Sequence, residues 1–217
     1  MFVSEYINLL VSSELKPLSI ANIGGELRTS VQDDNVSTII GLLNLANIAV
    51  HAKFSLIQRE ILLEDIENNK YYDLPDNFIH PISCALRDGT DVPINNERKI
   101  FIGGVDKQLS LMFPEPFRCV VKGDMIRSQS VMSLIYVASP VAITKVTDKI
   151  KLTSAYTQAI IDYTAYKAFL SVDGDISKTN NTYLMRYVAD CKAIKETGLT
   201  TEDNLGSNVK FNERGFV

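Results

Sequence analysis

Apolar positions recur at helical spacing at both ends of this chain and alternate in its middle. Over Phe2–Leu15, residues Phe2, Val3, Tyr6, Ile7, Leu10 and Val11 share one face, which predicts a short amphipathic helix. Lys16-Pro17 ends it, because proline disfavours helix in the residue before it. A loop over Leu18–Gln32 holds Gly24-Gly25, and Asp33, Asp34 or Asn35 can cap the next helix, from about Val36 to Phe54. There Ile39, Ile40, Leu42, Leu43, Leu45, Ala46, Ile48, Ala49 and Val50 coat almost the whole circumference. A helix so coated belongs at the centre of a bundle or at a subunit contact.

From Leu56 the period shortens. Leu56–Glu64, Tyr71-Tyr72 with Leu74, Phe78–Leu86, Lys99–Gly103, Leu109–Phe113, Phe117–Val121 and Val131–Val137 read as short strands. Turn sequences separate them: Glu67-Asn68-Asn69, Asp88-Gly89, Asn95-Asn96, Gly103-Gly104, Pro114-Glu115-Pro116 and Gly123-Asp124. Short strands with frequent turns predict a small antiparallel sandwich or barrel, and Ser139-Pro140 closes the strand region. Helical spacing returns at about Ser154, with Tyr156, Ala159, Tyr163, Tyr166 and Leu170 on one face. Asp173-Gly174-Asp175 connects to a last helix over Lys178–Thr197, where Leu184, Tyr187, Val188, Cys191 and Ile194 are apolar and Gly198 stands at the left-handed stop.

The order is helix, helix, strands, helix, helix. It predicts an α+β fold in which N- and C-terminal helices pack as an antiparallel bundle around an inserted antiparallel β domain. The expected boundaries are 1–54 and 149–198 for the two halves of the bundle, 55–148 for the insertion and 199–217 for a C-terminal arm. That arm is set apart by composition. A polar stretch, Thr200–Asn208, leads into NVKFNERGFV, where Val209, Phe211, Phe216 and Val217 alternate with Lys210, Glu213 and Arg214. An apolar segment on a polar tether is expected to dock, on its own subunit or a neighbour. Val209, Phe211, Phe216 and Val217 are the expected anchors, with Lys210 and Arg214 among the docking residues and Arg214 placed to pair with a carboxylate.

Length and composition allow a sizeable core: 217 residues, 46% hydrophobic and 22% charged, values that argue against disorder. No apolar run is expected to reach the roughly 18–20 residues that span a bilayer. The N-terminal MFVSEYINLL carries Glu5 and no basic residue, so it does not read as a signal peptide. A net charge of −4 without a basic block argues against dedicated nucleic-acid binding, yet a mildly acidic wall suits DNA that must pass without sticking. The three cysteines, Cys84, Cys119 and Cys191, are widely spaced in apolar surroundings, which predicts buried thiols in a reducing cytoplasm.

Catalytic and metal motifs fail on spacing. His51 and His80 are isolated and read as structural. Ser13-Glu14-Leu15-Lys16 lacks the partner motifs of an S-x-x-K enzyme. Asp173–Ser177 opens like a calcium loop, but Lys178 stands where glycine is needed and Leu184 where a bidentate glutamate is. No catalytic residue, metal or cofactor is expected.

Six segments in order carry a resemblance: SSELKPLSI (Ser12–Ile20), DDNVSTIIGLLNLANIAVHAKF (Asp33–Phe54), YDLPDNF (Tyr72–Phe78), LIYVASP (Leu134–Pro140), AYTQAIIDYTAYKAFLS (Ala155–Ser171) and the closing KFNERGFV. Together they resemble the head-to-tail adaptor proteins of tailed bacteriophages, of the kind of the tail tubular protein of short-tailed phages. The resemblance implies a homo-oligomeric ring, commonly a dodecamer, beneath the portal protein at the capsid vertex. It also implies a following tail or nozzle protein, DNA passing through the lumen, and no membrane partner. The site would be the head-tail junction of the virion, after synthesis in the host cytoplasm. Where the family often ends in Gly-Trp-Val, this chain has Gly215-Phe216-Val217, which keeps an aromatic anchor. Ile40, Leu43 and Ile48 are the candidate subunit contacts on the apolar helix. Two other classes are carried beside this one: a small cytoplasmic hydrolase whose site is assembled from scattered carboxylates or His51 and His80, and an adhesive or receptor-binding module built on the β region.

Overall fold

The computed structural model describes residues 1–15, 22–23, 26–27, 33–95, 98–102, 105–123, 131–172 and 178–198. Lys16-Pro17, Gly24-Gly25, Gly103-Gly104, Asp173–Ser177 and the arm 199–217 lie outside them. The described elements are α1 (Val3–Ser12), β1 (Asn22–Ile23), β2 (Glu26–Leu27), α2 (Asp33–Phe54), β3 (Gln58–Leu63), β4 (Tyr71–Asp73), β5 (Phe78–Leu86), β6 (Arg98–Ile102), β7 (Val105–Glu115), β8 (Arg118–Gly123), β9 (Met132–Ala138), a 3₁₀ turn (Ser154–Tyr156), α3 (Thr157–Val172) and α4 (Lys178–Glu196). The fold is α+β. The chain divides into two compact units: Met1–Phe54 with Val141–Val217, and Ser55–Pro140.

In the second unit β9 lies between β3 and β5, and β4, β8, β7 and β6 follow one another in a second sheet, every pairing antiparallel. The sequence alternation dictates the inner face. Met132, Leu134 and Tyr136 of β9 are buried while Ser133 and Ile135 are less so, as the two-residue strand period requires. Leu63, Cys84, Leu86, Met132 and Leu134 from one sheet meet Leu109, Leu111, Cys119 and Val121 from the other in a single cluster. Of the sandwich or barrel expected, the structure shows two small antiparallel sheets over one shared apolar cluster. Pro81 is tolerated because β5 is an edge strand with a register shift between Pro81 and Ser83. The expected turn at Pro114-Glu115-Pro116 is displaced: β7 continues to Glu115 and the reversal falls at Pro116-Phe117, where Glu115 pairs with Arg118.

The first unit is built on α2. Ile39, Leu43, Ala46, Val50 and Phe54 form one fully buried stripe at steps of four, three, four and four residues. The Phe54 ring stands edge-on to Tyr156 at 5.2 Å and 68°. On α3, Ala159, Ile160, Ala165 and Ala168 are fully buried, and Tyr163 and Phe169 reach Tyr187 and Tyr183 of α4 at 4.9 and 5.3 Å. Contrary to the sequence expectation, α2 is long and apolar enough, over the 20 residues Asn35–Phe54, to cross a membrane by length and composition. The helix α1 stops at Ser12 rather than Leu15, and the hydroxyls of Ser12 and Ser13 both donate to the Leu9 carbonyl, at 3.1 and 2.6 Å. At the end of α4, Gly198 has φ +67° and its N–H reaches the Lys195 carbonyl at 3.1 Å, the left-handed stop that the sequence predicts.

The boundary expected at 148 is corrected to Pro140. Residues 141–150 belong to the helical unit, where the polar groups of Ile143, Val146, Asp148 and Ile150 find partners. Asn44 Nδ2 donates to the Ile143 carbonyl at 2.9 Å, and Asn44 Oδ1 accepts from the Ile143 N–H at 2.8 Å. The N–H groups of Val3 and Ser4 donate to Asp148 and Val146, and that of Ile150 to Met1. The Asp148 carboxylate closes the turn between them by accepting from the N–H groups of Thr144 and Lys145 at 2.9 Å each, which holds its pKa below the ordinary value. Asn44→Ala would leave both Ile143 groups without their partner, and a loss of about 2 kcal/mol is expected in urea unfolding of the helical unit. Asn44→Asp, which keeps the acceptor alone, should fall between.

Candidate functional site

The three apolar residues singled out on α2 separate by environment. Leu43 is fully buried in the core stripe and has no surface to offer a neighbour, so it is not a contact residue. Ile40 is half-buried, and Ile48 is 38% exposed. Leu45, which the sequence did not single out, is 50% exposed. With Gly41 it makes a solvent-facing strip, Gly41-Leu45-Ile48, at steps of four and three residues. Ala52 extends the strip half-buried. The backbone of α2 sets this face because the same helix turns Leu43, Ala46 and Val50 inward. The expected docking residues Val209, Lys210, Phe211, Arg214, Phe216 and Val217 lie outside the described residues.

The scattered-site reading finds its histidines in structural settings. His51 lies buried on α2, where its Nδ1–H donates to the Asn47 carbonyl at 2.8 Å; burial lowers its pKa and keeps the ring neutral at neutral pH. His80 sits on β5, half-buried and paired with Val137 of β9. The cysteines are free and buried. Burial first, then neighbouring Cys119, pushes the Cys84 thiol up to about 12, and burial pushes Cys119 up to about 11. Neither forms a nucleophilic thiolate at neutral pH. Among the described residues no group of three or more histidines, cysteines or carboxylates is arranged to hold a metal.

One titratable constellation was missed by sequence reasoning. Asp162, in the first half of α3, is 1% exposed, and its Oδ1 has no hydrogen-bond partner. Asp190 Oδ2 on α4 is likewise buried without one. The Asp162 carboxyl is pushed up to about 6, chiefly by burial, with Asp190 and Glu14 adding to the rise and a hydrogen bond from Gln158 opposing it. Glu14 follows α1 and lies 3.8 Å from Arg186 Nη1 of α4. Tyr183 of α4 is pushed up to about 12 by burial and then by Glu14. A signal was available: Asp162 follows Ala159-Ile160-Ile161, so a lone acid stands in the most apolar turn of its helix.

No protein-family model matches the chain, and no curated protein is significantly similar to it.

Proposed function

We propose that the chain is a structural connector of a tailed bacteriophage, a ring subunit seated between the portal protein and the tail or nozzle protein, with DNA passing through the lumen. The observation that carries the reading is the Gly41-Leu45-Ile48 strip, an apolar helix face left to solvent on α2, the longest described helix. A ring subunit needs such a surface, since head-to-tail contacts that close by rotation bury a patch on every copy. The ordered resemblance of six segments to head-to-tail adaptors supports the same reading, and so does the insertion of a β unit, Ser55–Pro140, within a helical one. In its finer form the proposal has the four helices as an antiparallel bundle and 199–217 as an arm that anchors Phe211 and Phe216 on a neighbouring component. Ile40, Leu45 and Ile48 supply the subunit contact while Leu43 stays in the core. The ring is commonly twelvefold in that family. The proposal assigns no catalytic residue, metal, cofactor or membrane partner, and it places the protein at the head-tail junction of the virion after synthesis in the host cytoplasm.

Deleting Lys210–Val217 should leave the monomer folded by circular dichroism and abolish ring stacking or tail attachment. Sedimentation and negative-stain microscopy of the chain mixed with its portal read the result. Assembly indistinguishable from the full chain would remove the arm from the proposal. A chain that stays monomeric with and without the portal, arm intact, would remove the ring.

A further inference from the structure

We propose that Asp162 and Asp190 share one proton across the α3–α4 interface, and that its loss loosens α4 from α3, so that the helical unit carries a proton-operated latch. The inference stands on the placement of the two carboxyl groups and does not depend on the connector reading.

Asp162 is buried, the Tyr163–Tyr187 and Phe169–Tyr183 ring contacts set α3 and α4 in a register that lays its turn beside that of Asp190, and each carboxyl keeps one buried oxygen without a partner. Two ionised carboxylates are acceptors only, so neither can satisfy the other. A single proton changes that: one carboxyl becomes a donor, the other remains an acceptor, and a charge-assisted hydrogen bond joins α3 to α4. The neighbouring groups do not supply a substitute for the proton. On α3 itself Gln158 is a neutral donor. From α4 come Tyr183, Arg186 and Asp190, and Arg186 is the ion-pair partner of Glu14 from the end of α1, itself an acid bearing on Asp162. From α2, Lys53 acts with Lys195 on the Cys191 thiol, and His51 is held neutral.

The direction with pH follows. An unfolded aspartate loses its proton around its ordinary value of 3.8, whereas Asp162 keeps its proton to about 6. The stabilising effect of the proton is complete below pH ~4 and is lost as the pH rises through 6, with a ceiling of about a hundredfold in the opening equilibrium.

Hydrogen exchange measured by mass spectrometry on the full chain, corrected for intrinsic rates, tests this in peptides covering 182–196. At pH 5.0 their protection should exceed that at pH 7.5 by at least tenfold. Asp162→Asn, whose amide donates at every pH, should abolish the difference and protect α4 at pH 7.5 as well as the wild type at pH 5.0. Asp190→Asn should do the same from the other side. Equal protection of the wild type at both pH values overturns the latch, and so does a pH dependence that survives in both variants. Protection restored at pH 7.5 by millimolar magnesium or calcium, in the wild type but not in Asp162→Asn, assigns the pair to a cation and also overturns it. Should either variant fail to fold, a carbon-13 titration of the wild-type Asp162 carboxyl decides: a midpoint near 6 sustains the proposal and one below 5 refutes it.

Discussion

Phe54→Ala is expected to destabilise the helical unit by about 3–5 kcal/mol, a large share of the total stability of a domain. Phe54 is fully buried at the end of the α2 stripe, and its edge-on contact with Tyr156 joins α2 to the turn that starts α3. Truncation removes the transfer free energy of the ring and leaves a void that a close-packed interior fills only in part. It also removes an aromatic pair worth about 1 kcal/mol beyond its buried area. Urea unfolding followed by exchange in peptides of α2 and α3 measures the loss. Phe117 provides the control: it is 57% exposed at the β7–β8 reversal, and Phe117→Ala should stay within about 0.5 kcal/mol of the wild type. A loss below 1 kcal/mol at Phe54 would contradict the packing described for this end of α2.

Phe54 was legible in the sequence as the last apolar residue of α2, and the strands were legible as alternating runs closed by Gly, Pro, Asn and Asp. Those signals are local, and most strand bounds fall within a residue or two of them, although β7 starts four residues before Leu109 and α1 ends three before Leu15. What escaped was decided at a distance. Ser139-Pro140 closes the strand region in the sequence, yet the stretch up to 148, which shows no helical spacing, is placed there with the β domain. The hydrogen bonds of Ile143, Val146, Asp148 and Ile150 run to Asn44, Ser4, Val3 and Met1, partners remote in the chain, and the unit boundary moves to Pro140. Periodicity also fails on a helix apolar all round. Nothing in the pattern distinguishes Leu43 from Leu45, although one is fully buried and the other half exposed. Asp162 escaped for the opposite reason, since a lone acid reads as solvent-facing until the packing of α4 on α3 is known.

Leu45→Lys combined with Ile48→Lys should prevent ring assembly while leaving the isolated chain as stable as the wild type. In the monomer both side chains are substantially exposed, at 50% and 38%, and lysine is a good helix former with a stem that lies along apolar surface. The thermal midpoint is therefore expected within about 2 °C of the wild type. In the proposed ring the same positions would lose water on every copy. A charge buried there without a partner costs several kcal/mol at each interface, and the penalty recurs at every contact around the closed circle. Sedimentation velocity of the double variant, alone and with the portal, should show the monomer where the wild type shows a closed assembly. Leu43→Lys should behave in the opposite sense, unfolding the helical unit before assembly is at issue, because that side chain has no route to solvent. Rings formed by the double variant as readily as by the wild type would take the α2 strip out of the subunit contact and leave the arm alone to account for association.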